Sequence, residues 1–109
     1  MWKYVTAIAL TVCATHAHAH AQPATLNSGG GGNLPVWKSA EATHEAVKLS
    51  IANADRSLFF PLMACIVLDG TAALVTSWGM ATSDILIISG PQKGCRGNVT
   101  TERVRLNRN

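Results

Sequence analysis

The chain reads as a mainly β protein with an N-terminal helix, folded as a small barrel or rolled sheet and closed by one disulfide. Three observations predict this. From Leu62 onward, short runs rich in Ile, Val and Leu are separated by Gly-containing turns, the layout of a small all-β domain. One helical pattern, opened by Ser39, precedes them. Of three cysteines, only Cys65 and Cys95 remain once the front end is assigned to an export signal.

That front end has the three-part layout of a secretory leader. Met1 to Tyr4 with Lys3 is the positive n-region, and Val5 to Ala14 is an apolar h-region shorter than the roughly 20 residues a bilayer span needs. Ala17-His18-Ala19 and Ala19-His20-Ala21 both place small residues where a signal peptidase reads. Cleavage after Ala21 is favoured, and cleavage after Ala19 is the alternative. His16, His18 and His20 alternate with alanine as metal-binding tracts do, but cleavage removes all three. Cys13 leaves with the leader, and Val12 before it argues against lipidation. The alanine-rich leader is bacterial in character, so Asn98-Val99-Thr100 is read as a chance match to a glycosylation acceptor. The expected organisation is a signal peptide over 1–21, a flexible Gly-rich linker over 22–36 and one small helix-plus-β-barrel domain over 37–109. The mature protein then belongs in the periplasm or outside the cell, with no membrane span after cleavage.

The formal net charge of the 109-residue chain is +3. That is a mild basic bias, far from the dense Lys/Arg patch that would argue for nucleic acid. In an oxidising compartment an even pair of cysteines forms a disulfide. Closing a loop of about 30 residues stabilises by about 3–4 kcal/mol in the chain-entropy model. A metal pair or a redox dithiol finds no support, since there is neither a second ligand pair nor a Cys-x-x-Cys. No cofactor is implied.

Along the mature chain, Gly29 to Gly32 have maximal backbone freedom and nothing to bury, hence the linker. The run ends in Asn33-Leu34-Pro35 and lacks the Gly-Lys-Ser/Thr of a phosphate loop. A helix is predicted from Ser39 to Asn53, with Ser39 as N-cap, Glu41 in the first turn and an apolar face of Trp37, Ala40, Val47, Ile51, Ala54 and Leu58. Pro61 bars its continuation. Met63 to Leu68 is a bulky strand, and Asp69-Gly70 a hairpin turn into a return strand over Thr71 to Ser77. Asp84 to Ser89 is a third strand, Gly90 to Gly94 a turn, and Cys95 to Thr100 and Glu102 to Leu106 two last strands. The apolar stretch from Leu58 to Leu68 contains Pro61, stops at Asp69 and is too short to cross a bilayer.

The order of these features is similar to bacterial Src-homology-3-type domains of exported proteins. It is carried by the Cys65 strand, Asp69-Gly70-Thr71, Ile85-Leu86-Ile87-Ile88-Ser89-Gly90-Pro91, Gly94-Cys95-Arg96-Gly97-Asn98-Val99 and Glu102-Arg103-Val104, over about Ala64 to Leu106. Asn98 stands where that family usually has tryptophan. The resemblance implies a Src-homology-3-like barrel with a short helical turn before the last strand, and a Cys65–Cys95 clasp between its first and fourth strands. It also implies a binding module for a cell-wall peptide or protein partner. The candidate ligand contacts are Trp78, in the loop after the second strand, and Lys93, Arg96 and Asn98 around the later turn.

No catalytic apparatus is legible. His44 is the sole histidine of the mature chain, both its cysteines are spoken for, and Glu41, Glu45, Asp55, Asp69, Asp84 and Glu102 form no recognisable pair. The functional expectation is a small exported, non-enzymatic binding module for a protein or peptidoglycan partner. Its alternatives are an accessory subunit of an envelope or secretion assembly, and a small hydrolase or inhibitor working through His44.

Overall fold

A computed structural model of the protein describes residues 21–107. The expected export signal, with its histidines and Cys13, lies outside the described residues, Ala21 excepted. Seven strands form one antiparallel, curled half-barrel: β1 (Gln22–Leu26), β2 (Asn33–Trp37), β3 (Met63–Leu68), β4 (Ala72–Ser77), β5 (Thr82–Ile87), β6 (Arg96–Thr100) and β7 (Val104–Leu106). Their order across the sheet is β3-β2-β6-β5-β4-β1-β7. The helix α1 (Ala40–Ile51) lies between β2 and β3 in the chain, so the fold is mainly β with a mid-chain helix and not an N-terminal one. No helix among the described residues is long and apolar enough to cross a membrane.

The segment expected as a linker carries β1 and most of β2. Each has a two-residue alternation that buries Ala24 and Leu26, then Leu34 and Val36, on the concave face. Only the glycine quartet is a turn, with Gly29, Gly31 and Gly32 at positive φ. Around these residues the concave face collects Val67, Ala73, Val75, Ile85, Ile87 and Val99, with Val104 and Leu106 packed against them. Each large aliphatic side chain so buried contributes about 1.5–3 kcal/mol.

Asp69 and Gly70 do not make the expected hairpin, because β3 pairs with β2 while β4 pairs with β1 and β5. The dipeptide is a corner where the two arms of the sheet meet. Gly70 N–H donates to Leu26 O at 2.7 Å and Asp69 N–H to Gly32 O at 2.8 Å, so the end of β1 and the start of β2 are held at one point. The Asp69 carboxylate also accepts from Ser28 N–H. β5, expected over Asp84 to Ser89, lies two residues earlier, and Thr101–Arg103 forms a 3₁₀ turn that shortens the last strand to Val104–Leu106.

Cys65 and Cys95 are joined by a disulfide, their Cα atoms 6.7 Å apart. Both pack on the core, and the bond ties β3 to the foot of β6 across the intervening β2. Gly97 makes this crowding possible. A Cβ there would collide with the Trp37 carbonyl oxygen and Val36 Cγ1, so β2 and β6 approach only because Gly97 lacks one.

Ser39 caps α1 as predicted, its Oγ accepting from Ala42 N–H at 3.0 Å. The helix closes on Asn53 in the left-handed region (φ 56°), with Ala54 N–H bonded to Leu49 O. Its buried face is another than expected. Ala42, Thr43 and Ala46 lie against the outer side of the sheet, while Val47 is exposed and Ile51 is 81% exposed. Small residues let the helix sit close to β6, and its larger aliphatics are left beside it.

Candidate functional site

The outer face of β2 and β3 is set by the same alternation that builds the core. With Leu34, Val36 and Val67 turned inward, Pro35, Trp37 and Ile66 point outward. α1 stands along one side of them and presents Ala46, Val47 and Ser50. Beyond the helix the chain makes two 3₁₀ turns, Arg56–Leu58 and Phe60–Leu62. Asp55 starts the first, its Oδ1 accepting from Ser57 N–H at 3.1 Å, and Pro61 sits in the first positions of the second. These turns bring Phe59 to Trp37, ring centroids 6.2 Å apart and tilted by 44°.

The result is an open groove of about 670 Å³ over the outer face of the sheet. Trp37, Phe59, Phe60, Met63, Ile66 and Val47 make it apolar. Arg56 and Arg103 also line it, and no carboxylate does. Arg103 arrives from the 3₁₀ turn after β6, its Nη1 donating to Ser28 O at 2.7 Å. Glu102 lies 3.8 Å from Arg103 but is largely exposed, so this surface pair leaves the guanidinium charge mostly uncompensated. Ser28 Oγ, also in the lining, is buried without a hydrogen-bond partner. An apolar floor with a few polar groups at its ends is the usual make-up of a ligand groove.

The four residues singled out from sequence do not converge. Trp78 is 52% exposed in the β4–β5 loop. That loop is held firmly: Thr101 Oγ1 donates to Gly79 O at 2.7 Å, Ser83 Oγ lies 2.8 Å from Thr101 Oγ1, and Gly79 N–H reaches Ser83 Oγ at 3.2 Å. Lys93 and Arg96 are exposed at the β5–β6 connection, the opposite end of β5, a strand length of roughly 17–20 Å away.

Asn98 does not lie on the open surface. It is 2% exposed beneath α1, its Oδ1 accepting from Thr43 Oγ1 at 2.6 Å and its Nδ2 donating to Asp84 Oδ1 at 2.8 Å. Leaving either end of that amide unpaired would cost about 1–3 kcal/mol. His44 is exposed on α1, and no three His, Cys, Asp or Glu side chains converge among the described residues.

Sequence reasoning missed Trp37, Phe59, Phe60, Arg56, Ile66 and Arg103 as a group. The one signal for them was the aromatic pair just before Pro61, read as the lead-in to a buried strand. The chain matches no protein-family model, no curated protein and no solved structure.

Proposed function

We propose that this chain is a small exported binding module that holds a peptide segment of an envelope protein partner in the groove over β2 and β3. The observation that carries the reading is the groove itself, an aromatic and aliphatic floor lined by Arg56 and Arg103 with no acid. Such a lining suits an extended segment that combines apolar side chains with a carboxylate. A disulfide and the lack of a membrane-spanning helix among the described residues are compatible with the periplasm or the extracellular space.

The Src-homology-3 reading of the fold belongs with this proposal. In its favour are the run of neighbours β6-β5-β4-β1-β7, in which the first and last of these strands in the chain lie side by side, and the 3₁₀ turn before the last strand. On this reading β2, α1 and β3 are an elaborated excursion between the first and second barrel strands, so the Cys65 strand is not the first barrel strand that the sequence resemblance implied, and the groove is built on that excursion. Binding needs no catalytic group, and the module proposed here is a non-enzymatic one.

A display library of random peptides selected on the immobilised, oxidised protein tests the proposal. Selected peptides are expected to carry apolar residues with at least one acid. Phe60→Ser and Arg56→Glu, both at exposed positions, should each weaken them about tenfold, a loss of roughly 1.4 kcal/mol. Enrichment of no peptide, together with retention by purified peptidoglycan, would move the assignment to a cell-wall ligand. Failure to bind either would remove the binding-module reading.

A further inference from the structure

The two edges of the sheet are β3 and β7. Among the described residues β3 pairs with β2 on one side only, and the phase of that pairing is set by Asp69 N–H on Gly32 O. Because peptide groups alternate along a strand, Cys65 and Val67 turn theirs toward β2, while Ala64, Ile66 and Leu68 turn theirs to the free edge. Of these groups, Leu68 O is already used, accepting from Thr71 N–H at 3.1 Å and Thr71 Oγ1 at 2.6 Å. The same three residues are exposed, Ile66 by 42% and Leu68 by 62%.

Proteins protect such edges with charges, prolines, bulges or short strands. Met63–Leu68 is six residues long and has neither charge nor proline, and its one bulge is confined to its start, where the register shift between Val36 and Trp37 leaves Ala64 without a partner on β2. The disulfide at Cys65 holds the strand in place. A flat apolar edge with open hydrogen-bonding groups is a template for one more strand.

We propose that this edge is the seam of a two-fold dimer, in which a second copy of the chain adds its own β3 antiparallel. The strand is self-complementary about Ile66. With the axis there, Ile66 faces Ile66 of the second copy, and Ala64 faces Leu68, a small side chain against a large one. Asp69 falls opposite Met63, so no like charges meet. Ile66 pairs with its copy through both N–H and O, and Leu68 N–H donates to Ala64 O of the second copy, while Leu68 O, already accepting from Thr71 N–H and Thr71 Oγ1, stays within its own chain. At the far edge β7 has only three residues and exposes Arg105, so assembly stops at two copies and does not run on as a fibre.

Sedimentation of the oxidised protein over a concentration series reads the dimer directly. Ile66→Lys sets two ammonium groups face to face and is expected to raise the dissociation constant at least about tenfold. Two cysteine variants test the register without depending on that substitution. Hydrogen-bonded partners lie about 5.5 Å apart at Cα, within disulfide reach, so Ile66→Cys should cross-link to twice the chain mass under oxidising conditions. Leu68→Cys, whose partner is Ala64, should not. A protein that is monomeric at every concentration, a dimer indifferent to Ile66→Lys, or cross-linking of Leu68→Cys as ready as that of Ile66→Cys would each overturn the proposal.

Discussion

β3 and β7 end the same sheet and could hardly be finished more differently. β7 is three residues long, turns Val104 and Leu106 into the core and leaves Arg105 outside. It is held along β1 through Ala24, Thr25 and Leu26, and Thr25 Oγ1 reaches Asn107 Oδ1 at 3.1 Å just beyond it. β3 is twice as long, apolar throughout, and tied to the interior by a covalent bond. One edge is kept from pairing by brevity and charge. The other is rigid and open, and the groove with its aromatic floor lies directly beside it. Edge chemistry is thus distributed, with protection on one side of the sheet and an unprotected strand on the other.

The comparison can be broken first at the disulfide, where the largest effect is expected. With the cysteines 30 positions apart in the chain, replacing both Cys65 and Cys95 by alanine should cost about 3–4 kcal/mol in urea unfolding. Hydrogen exchange should show the lost protection concentrated on β2 and β3, with β1 and β7 affected less. An unfolding midpoint unchanged by reduction would mean that β3 is held by its strand pairing alone.

Gly97→Ala acts on the same side by a different route. The added methyl meets the Trp37 backbone and must push β2, and with it β3, away from β6. The expected loss is about 1–3 kcal/mol, measurable as a lower denaturation temperature. A variant as stable as the parent would show that β2 moves freely relative to β6.

The smallest change in stability is expected at Arg105→Val, within about 0.5 kcal/mol, because the side chain is exposed. It removes the charge that protects β7. Species larger than a dimer should then appear in sedimentation. Their absence would assign the protection of β7 to its length alone.

How much of this was legible in the chain depends on where the information sits. β3 is bounded in the sequence as in the structure, because Met63–Leu68 is a bulky run closed by Asp69-Gly70. The cysteine pair followed from compartment and count. β1 and β2 were obscured because each has only two inward residues, and Pro23, Pro35 and four glycines dominate the local composition.

The start of α1 was marked by Ser39, but its packing face was not. Periodicity follows large aliphatic residues, and this helix docks through Ala42, Thr43 and Ala46 onto Asn98. The groove was least legible of all. Trp37, Phe59, Ile66 and Arg103 come from four segments, and only the β2–β3 pairing and the turn after β6 bring them together.

The pairing of β1 with β7 has a further consequence, in the order of events during folding. β1 is flanked by β4 on one side and β7 on the other, so one neighbour comes from near the end of the chain. Both Ala24 and Leu26 are fully buried only when Val104 and Leu106 are in place beside them. Such long-range closure is slow and cannot begin until nearly the whole sequence is available. The β1–β7 seam is therefore among the last contacts to form, after the segment ending at Leu106 has been made.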